Sequence, residues 1–307
     1  MPSVKKAAPR ARKVARASTT DPTQASLAQA SLAQTSLTQT NLTIDSEKTI
    51  QSLAESLREY LEASSFAGYI IGLTGGVDSA VAAAIAVNAV GKERVHAYCL
   101  PYKTSSHTAK DASLVASWLG LHLTEIDITS MIQAYYADPG GVNPVRAGNK
   151  MARERMSILF DQAFEKRLLV LGFINRTEIA LGYFTWFGDS ACSIDVLGQL
   201  YKTQVRQLAH DLGVPAAIQR KSPSADLWPG QQDEEELGLV YEEVDRFFAL
   251  TVDRGVNSRA CLHKAGFSDD FIERALELTN RFAFKRKCPG ASSLGLCEIP
   301  DRIQLKK

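Results

Sequence analysis

Two periodicities share this chain. Tyr69–Leu73, Val95–Leu100, Leu121–Ile128 and Leu168–Leu171 are short apolar runs bounded by glycine, proline or charge, the pattern of strands covered on both faces of a parallel sheet. The stretches around them repeat at the helical period. Ile50, Leu53, Leu57, Tyr60 and Leu61 fall on one face behind Asp45 or Ser46 as a cap. Ala80–Ala89 continues as a helix, residues 107–119 form another that Gly120 stops, and a third opens at Asn149. Leu200–Ala209 is amphipathic and ends before Gly213 and Pro215, and residues 236–286 are helical by pattern. Strand and helix alternating at this spacing predict right-handed crossovers and an α/β fold, with ligands beyond the carboxyl ends of the strands.

The pattern also divides the chain. Residues 1–17 carry six basic residues and no acid, compatible with a transit segment, a nucleic-acid arm or a solvated tail. Ser-Leu-Ala-Gln then recurs at 26 and 31 and, with threonine as its third residue, at 36, a five-residue period that is neither helical nor extended. We read 1–44 as a low-complexity basic extension, 45–290 as the folded domain and 291–307 as a tail.

Charge and cysteine content narrow the function. With 35 Lys+Arg against 34 Asp+Glu in 307 residues, no global field points to a nucleic-acid or membrane partner, and no apolar run approaches the ~20 residues of a membrane helix. The five cysteines lack metal-ligand spacing and one is left over from any pairing, so they read as reduced thiols in a cytoplasmic protein.

The chemistry concentrates in GYIIGLTGGVDSAVAAAIA, residues 68–86. An apolar strand runs into Gly75-Gly76, where the backbone turns sharply, and then into a helix whose N–H groups and dipole face the loop, an anion site. The loop matches neither GxxxxGK nor GxGxxG. Thr74 and Ser79 offer hydroxyls to phosphate oxygens. Asp78 either holds Mg²⁺ or caps the helix. A second glycine loop, Gly172 to Glu178, opens beside the first and brings Glu178 near Asp78, a pair suited to a hard cation carrying phosphates. Lys202 at a helix start opposes the dipole, a conflict a bound anion would remove. Asn149 and Arg153 share a helical face, the ordinary reading of which is a solvated polar surface. Lys221–Gln232 is a proline-punctuated loop, and the acids from Asp233 read as dipole compensation.

Together these stretches resemble the NAD synthetase family, in its ammonia-dependent type, of the N-type ATP pyrophosphatase group. The resemblance runs from about Ser46 to Lys287 and rests on TGGVDS at 74–79, GNKMARERM at 148–156, GFINRTE at 172–178, GYFTWFGD at 182–189, LYKTQV at 200–205 and PSADLWPGQQDEEELG at 223–238. It implies a Rossmann-like parallel sheet flanked by helices, of the adenine nucleotide alpha hydrolase-like type, in a homodimer. The implied reaction adenylates the carboxylate of deamido-NAD with MgATP, releases pyrophosphate, and lets ammonia displace AMP. By the same resemblance Gly72, Thr74, Gly75, Gly76, Asp78, Ser79, Lys202 and Ser224 bind ATP, Asp78 and Glu178 hold Mg²⁺, and Asp78, Lys202 and Glu178 carry the chemistry. Arg153, Trp186, Ser193, Asp195, Lys285 and Arg286 fall at the dinucleotide. Glutamine-dependent members have an added amidase domain, so the expected nitrogen source is free ammonia or a separate partner.

This chain departs from the pattern unevenly. Phe173 stands for a threonine, Trp186 for a lysine, Ser193 for an aspartate and Phe284 for a histidine, with Asp195 two residues from Ser193 as a substitute. Replacing a cation by an indole removes a charge-assisted contact worth about 1.5–3 kcal/mol. The ATP positions are kept while acceptor positions carry aromatics. Two further readings follow: a relative that amidates another small aromatic carboxylic acid, and a nucleotide-binding protein without catalysis.

Overall fold

The computed structural model describes residues 40–103, 106–136, 141–228 and 230–287. Those from Asn41 onward belong to one compact unit. The sequence expectations for 1–39, for most of the loop before Gly141 and for the tail lie outside the described residues.

In chain order the elements are α1 (Ser46–Glu62), β1 (Gly68–Gly72), α2 (Val77–Val90), β2 (Val95–Cys99), α3 (Ser106–Leu119), β3 (Leu123–Glu125), α4 (Thr129–Tyr135), α5 (Pro144–Lys166), β4 (Leu168–Gly172), α6 (Arg176–Leu181), β5 (Ile194–Asp195), α7 (Lys202–Asp211) and α8 (Ala216–Gln219). The helices α9 (Asp233–Leu237), α10 (Tyr241–Phe248), α11 (Arg259–Lys264) and α12 (Asp269–Arg281) follow. The strands form one parallel sheet in the order β3-β2-β1-β4-β5. Because the order reverses at β1, the loops after β1 and β4 part and leave a crevice between them.

Strand alternation sorts the core into two layers. Tyr69 and Ile71 of β1, Ala97 and Cys99 of β2, and Leu169 and Leu171 of β4 pack with α1, α2, α3 and α7. Ile70, Tyr98, Leu168 and Val170 point the other way onto α4 and α5. The alanine-rich α2 is buried on nearly every side, from Ser79 through Ala86 and again at Ala89. Its small side chains let it lie between sheet and α1, so it has no polar face to offer. Asp45 caps α1 by accepting from Lys48 N–H at 3.1 Å.

Several boundaries differ from the sequence reading. The helix expected from Asn149 begins at Pro144, capped by Asn143, since proline at a first helical position costs no hydrogen bond. The third strand is three residues rather than eight. The fifth strand was not expected: two residues are too short for periodicity to register. The stretch 236–286 is broken into separate helices by Gly238, by Gly255 and by Gly266, each at positive φ.

Candidate active site

Leu73–Gly76 leaves the carboxyl end of β1. Gly75 sits at φ +72°, and a Cβ there would come within 2.4 Å of Asp111 Cβ, so only glycine lets the turn lie against α3. The two hydroxyls flanking the loop first bond one another. Thr74 Oγ1 lies 3.1 Å from Ser79 Oγ and accepts from Gly76 N–H at 3.2 Å, while Ser79 Oγ donates to Gly76 O at 3.0 Å. Ser79 is buried, so it shapes the loop from behind while Thr74 and Gly76 face the cleft.

The second loop is set by its cap. Asn175 starts α6 with a reciprocal capping box: its Oδ1 accepts from Glu178 N–H at 3.0 Å and Glu178 Oε2 accepts from Asn175 N–H at 3.2 Å. The amide left over donates to Asp78 Oδ1 at 3.1 Å. Asp78 is therefore not the cap of α2, which is Gly76 with no side-chain bond.

Lys202 closes the group. Its ammonium bonds Asp78 Oδ2 and lies 3.3 Å from Glu178 Oε1, with the Tyr241 ring centroid at 5.2 Å. The dipole conflict at the start of α7 is thus removed by two carboxylates of the chain itself. Asp245, fully buried, fixes the geometry: Oδ1 takes the Thr177 hydroxyl, Oδ2 accepts from Thr203 N–H at 2.8 Å, and Thr177 Oγ1 accepts from Lys202 N–H at 3.0 Å. Burial opposes the charge on Lys202, but Asp78 and Glu178 outweigh it and raise its pKa, so it stays protonated. Burial raises Glu178 against the attraction of Lys202, and Asp78 adds to the rise.

Around this centre the cleft is lined by Gly72, Thr74, Gly76, Asp78, Phe173, Glu178, Lys202 and Ser224, together with Tyr183, Asp189, Arg155 and Asp233, which sequence reasoning missed. Arg155 fixes its guanidinium by donating from Nε to Leu100 O at 2.9 Å. Asp189 holds the 185–190 turn by accepting from Thr185 N–H at 2.7 Å. Asp189 is exposed to the cleft, and the protein packed around the turn, screened by cleft water, pushes its carboxyl up to about 6. A signal for Asp189 and Asp233 was available, since both lie inside quoted motifs; what marks Asp233 is burial and what marks Asp189 is its place on the cleft wall, neither of which the motifs state.

The acceptor positions are distributed. Arg153 donates from Nε to Trp186 O at 3.1 Å, and Thr185 Oγ1 donates to Asn149 Oδ1 at 2.6 Å, so the shared face of Asn149 and Arg153 is not a free solvated surface. Trp186 stacks on Phe187 at 4.6 Å and meets Phe284 edge-on at 5.3 Å. Asp195 stands behind Gly172; burial pushes it up to about 7, with Asp189 and Asp78 adding repulsion. Ser193 is turned to the sheet, its Oγ accepting from Val170 N–H at 3.0 Å. Lys285 donates to Gly182 O and Phe184 O at 2.8 and 2.7 Å, and Arg286 to Ala180 O and Thr279 O, both at 2.9 Å. All three of Ser193, Lys285 and Arg286, expected at substrate, are engaged with backbone: Ser193 takes an N–H of β4, Lys285 donates to carbonyls just after α6, and Arg286 donates to carbonyls in the last turns of α6 and α12, which need donors.

Among the described residues no three acidic, histidine or cysteine side chains gather as a self-sufficient metal site. Asp78 and Glu178 supply two hard oxygen ligands, which suits Mg²⁺ that takes its remaining ligands from phosphate and water.

Residues 49–289 match the family model described as NAD synthase. The NH(3)-dependent NAD(+) synthetase of Trichlorobacter lovleyi is 45% identical over 72% of this chain and 81% of that protein. Among solved structures, the NMN synthetase of Francisella tularensis aligns with a TM-score of 0.72 at 33% identity over 82% of this chain and 100% of that one. The NH3-dependent NAD synthetase of Campylobacter jejuni aligns with a TM-score of 0.69 at 28% identity, again over 82% and 100%.

Proposed function

The chain belongs to the NAD synthase family, and from that premise we propose how its cleft carries out ATP-dependent amide formation. The enzyme is a carbon–nitrogen ligase. A deamido-NAD carboxylate oxygen attacks the α-phosphorus of ATP and pyrophosphate leaves; ammonia then attacks the acyl carbon, AMP leaves with the C–O bonding pair, and the nitrogen loses a proton to give NAD. The carboxylate is a poor acceptor until adenylation makes its oxygen a leaving group.

The observation that supports these roles is the joining of Asp78, Glu178 and Lys202 at the glycine loop. N–H groups at the start of α2 and the Lys202 ammonium face the phosphates, where negative charge develops on the departing pyrophosphate. Asp78 and Glu178 would hold Mg²⁺, which supplies charge neutralisation for the polyphosphate when bound. Ser224 lines the same cleft and would contact the nucleotide there. Asp189, which lines the cleft with its carboxyl pushed up to about 6, would take the proton released by the attacking nitrogen. Arg153, Trp186, Asp195 and Lys285 fall to the dinucleotide. The expectation of a different aromatic acid as acceptor gains no support from the relatives, which are named as synthetases of NAD and NMN.

A second copy of the chain completes the proposal. Phe160 and Phe164 are one turn apart on α5 and 42% and 86% exposed, with Met131 and Tyr135 of α4 exposed at 39% and 62%. Such aromatics on adjoining helices suit a homodimer interface. No helix among the described residues is long and apolar enough to cross a membrane, and Cys99, Cys192 and Cys261 are free thiols, which supports a cytoplasmic setting. The nitrogen comes as ammonia, the donor that the relatives' names give.

The test is stoichiometric formation of NAD, AMP and pyrophosphate from deamido-NAD, ATP and ammonia. Chelation of Mg²⁺ is expected to stop all three products together. Equal turnover in the chelated sample would remove the metal from the reading, and absence of NAD under all conditions would defeat the acceptor assignment.

A further inference from the structure

Asp233 opens α9 in a run of four acids, and a first-turn acid that merely complements the helix dipole remains in solvent. Glu235, two residues on, does so. Asp233 instead is only 4% exposed, and its carboxylate is engaged on both oxygens. Oδ1 accepts from Ala225 N–H at 3.0 Å and shares the Tyr183 hydroxyl, 3.1 Å away, with Glu236 Oε2 at 2.8 Å, and Oδ2 accepts from the Tyr241 hydroxyl at 3.3 Å. Burying an acid this deeply is unfavourable unless bonds replace its water. Here they replace it with contacts to three separate segments.

One of those segments is the wall of the ATP cleft. Asp233 N–H donates to Pro223 O at 3.1 Å while its carboxylate receives Ala225 N–H, so the two bonds clasp the backbone on either side of Ser224. Ser224 lines the cleft, with its Oγ accepting from Asp226 N–H at 3.0 Å. The opposite contact leads to the cleft floor, because the Tyr241 ring whose hydroxyl reaches Asp233 also faces the Lys202 ammonium. The wall that carries Ser224 and the cation that faces the phosphates are thus referenced to one carboxylate.

We propose that Asp233 is a positioning residue for ATP, which holds Ser224 at a fixed place in the cleft that Lys202 also lines, without touching the reacting atoms. This rests on the reading of the cleft as the ATP site. A loop residue held in advance loses less freedom when ligand binds, so the effect belongs in nucleotide affinity rather than in the chemical step.

The test is ATP affinity by calorimetry without acceptor, followed by steady-state kinetics, for wild type, D233N, S224A and the double variant. D233N keeps the size of the side chain and loses acceptance at one position. It is expected to raise the Kd and KM for ATP about tenfold, with kcat and the KM for deamido-NAD changed less than about twofold. S224A alone weakens ATP binding, and in the D233N background it adds nothing, because Ser224 is no longer presented. E235A, at an exposed position, leaves ATP affinity unchanged. Wild-type ATP affinity in D233N, or additive effects of D233N and S224A, would overturn the proposal. Should D233N not fold, Y241F removes one donor and leaves the carboxylate, with a rise of about threefold expected and an unchanged affinity again overturning it. Failure of the wild type to make NAD would count against the acceptor assignment alone, since the affinity measurement needs no acceptor.

Discussion

The side-chain amide of Asn175 donates to Asp78 at 3.1 Å while its carbonyl caps α6. One fully buried residue therefore holds the loop after β4 against the loop after β1. The distance between these two cleft carboxylates, Asp78 and Glu178, is set by a helix cap.

Asn175→Ala removes both functions. The lost cap costs about 1 kcal/mol, and the lost bond to Asp78, a partly exposed carboxylate on the cleft, about another. Thermal unfolding is expected to show a Tm lower by roughly 4–8 °C, and kcat is expected to fall at least about tenfold because Asp78 and Glu178 drift apart. A variant with lowered Tm and full kcat would show that the bridge serves stability alone.

Gly148 lies in α5 beneath the loop that carries Ser224. A Cβ there would stand 2.8 Å from Leu227 Cβ. Gly148→Ala is expected to push that loop outward and raise the KM for ATP several-fold with little change in Tm. Gly75→Ala makes the contrast, since its φ of +72° and its 2.4 Å approach to Asp111 involve a helix that cannot shift. Its expected outcome is loss of ATP binding and of stability together, followed by calorimetry and thermal unfolding.

Asp189 gives a pH prediction. Burial lifts its carboxyl from 3.8 to about 6, and cleft water screens part of that push. A proton acceptor must be ionised, so NAD formation at a fixed concentration of free ammonia is expected to fall as pH drops through about 6. The stability effect has the opposite sign. A carboxyl whose pKa is raised on folding binds its proton more tightly when folded, so its contribution is fully present below pH 3.8 and is lost as pH rises through about 6. Asp189→Asn should therefore lower activity, remove this limb of the pH profile and leave stability at neutral pH unchanged or higher. A retained acid limb would assign it to another group.

Phe164, 86% exposed on α5, gives a prediction about assembly. Phe164→Glu places a charge where the second copy is proposed to pack, and the expected result by light scattering is a monomer. A dimer that persists in F164E would move the interface to another face.

The local parts of this protein were legible from the chain. Tyr69–Leu73 with the glycines after it, Ala80–Ala89 and the Gly172–Glu178 loop are contiguous, so their periodicity and turn chemistry gave strand, loop and helix in the correct order, and parallel crossovers then placed both loops at one sheet edge. The residues proposed to face ATP lie in the same contiguous motifs. The pairing of Asp78 with Glu178 was expected, but its agent was not, because Asn175 acts through a side chain whose partner is 97 residues away.

Tertiary structure alone decided which polar residues face the cleft and which serve the backbone. Lys202 turns onto carboxylates, Ser193 onto β4 and Arg286 onto helix-end carbonyls, since each unpaired backbone group in the fold takes the nearest donor or acceptor. Asp233 and Asp245 look like surface acids in the sequence and are buried in the fold. Pattern along a chain records period and composition; burial and partner choice arise only when separate segments meet.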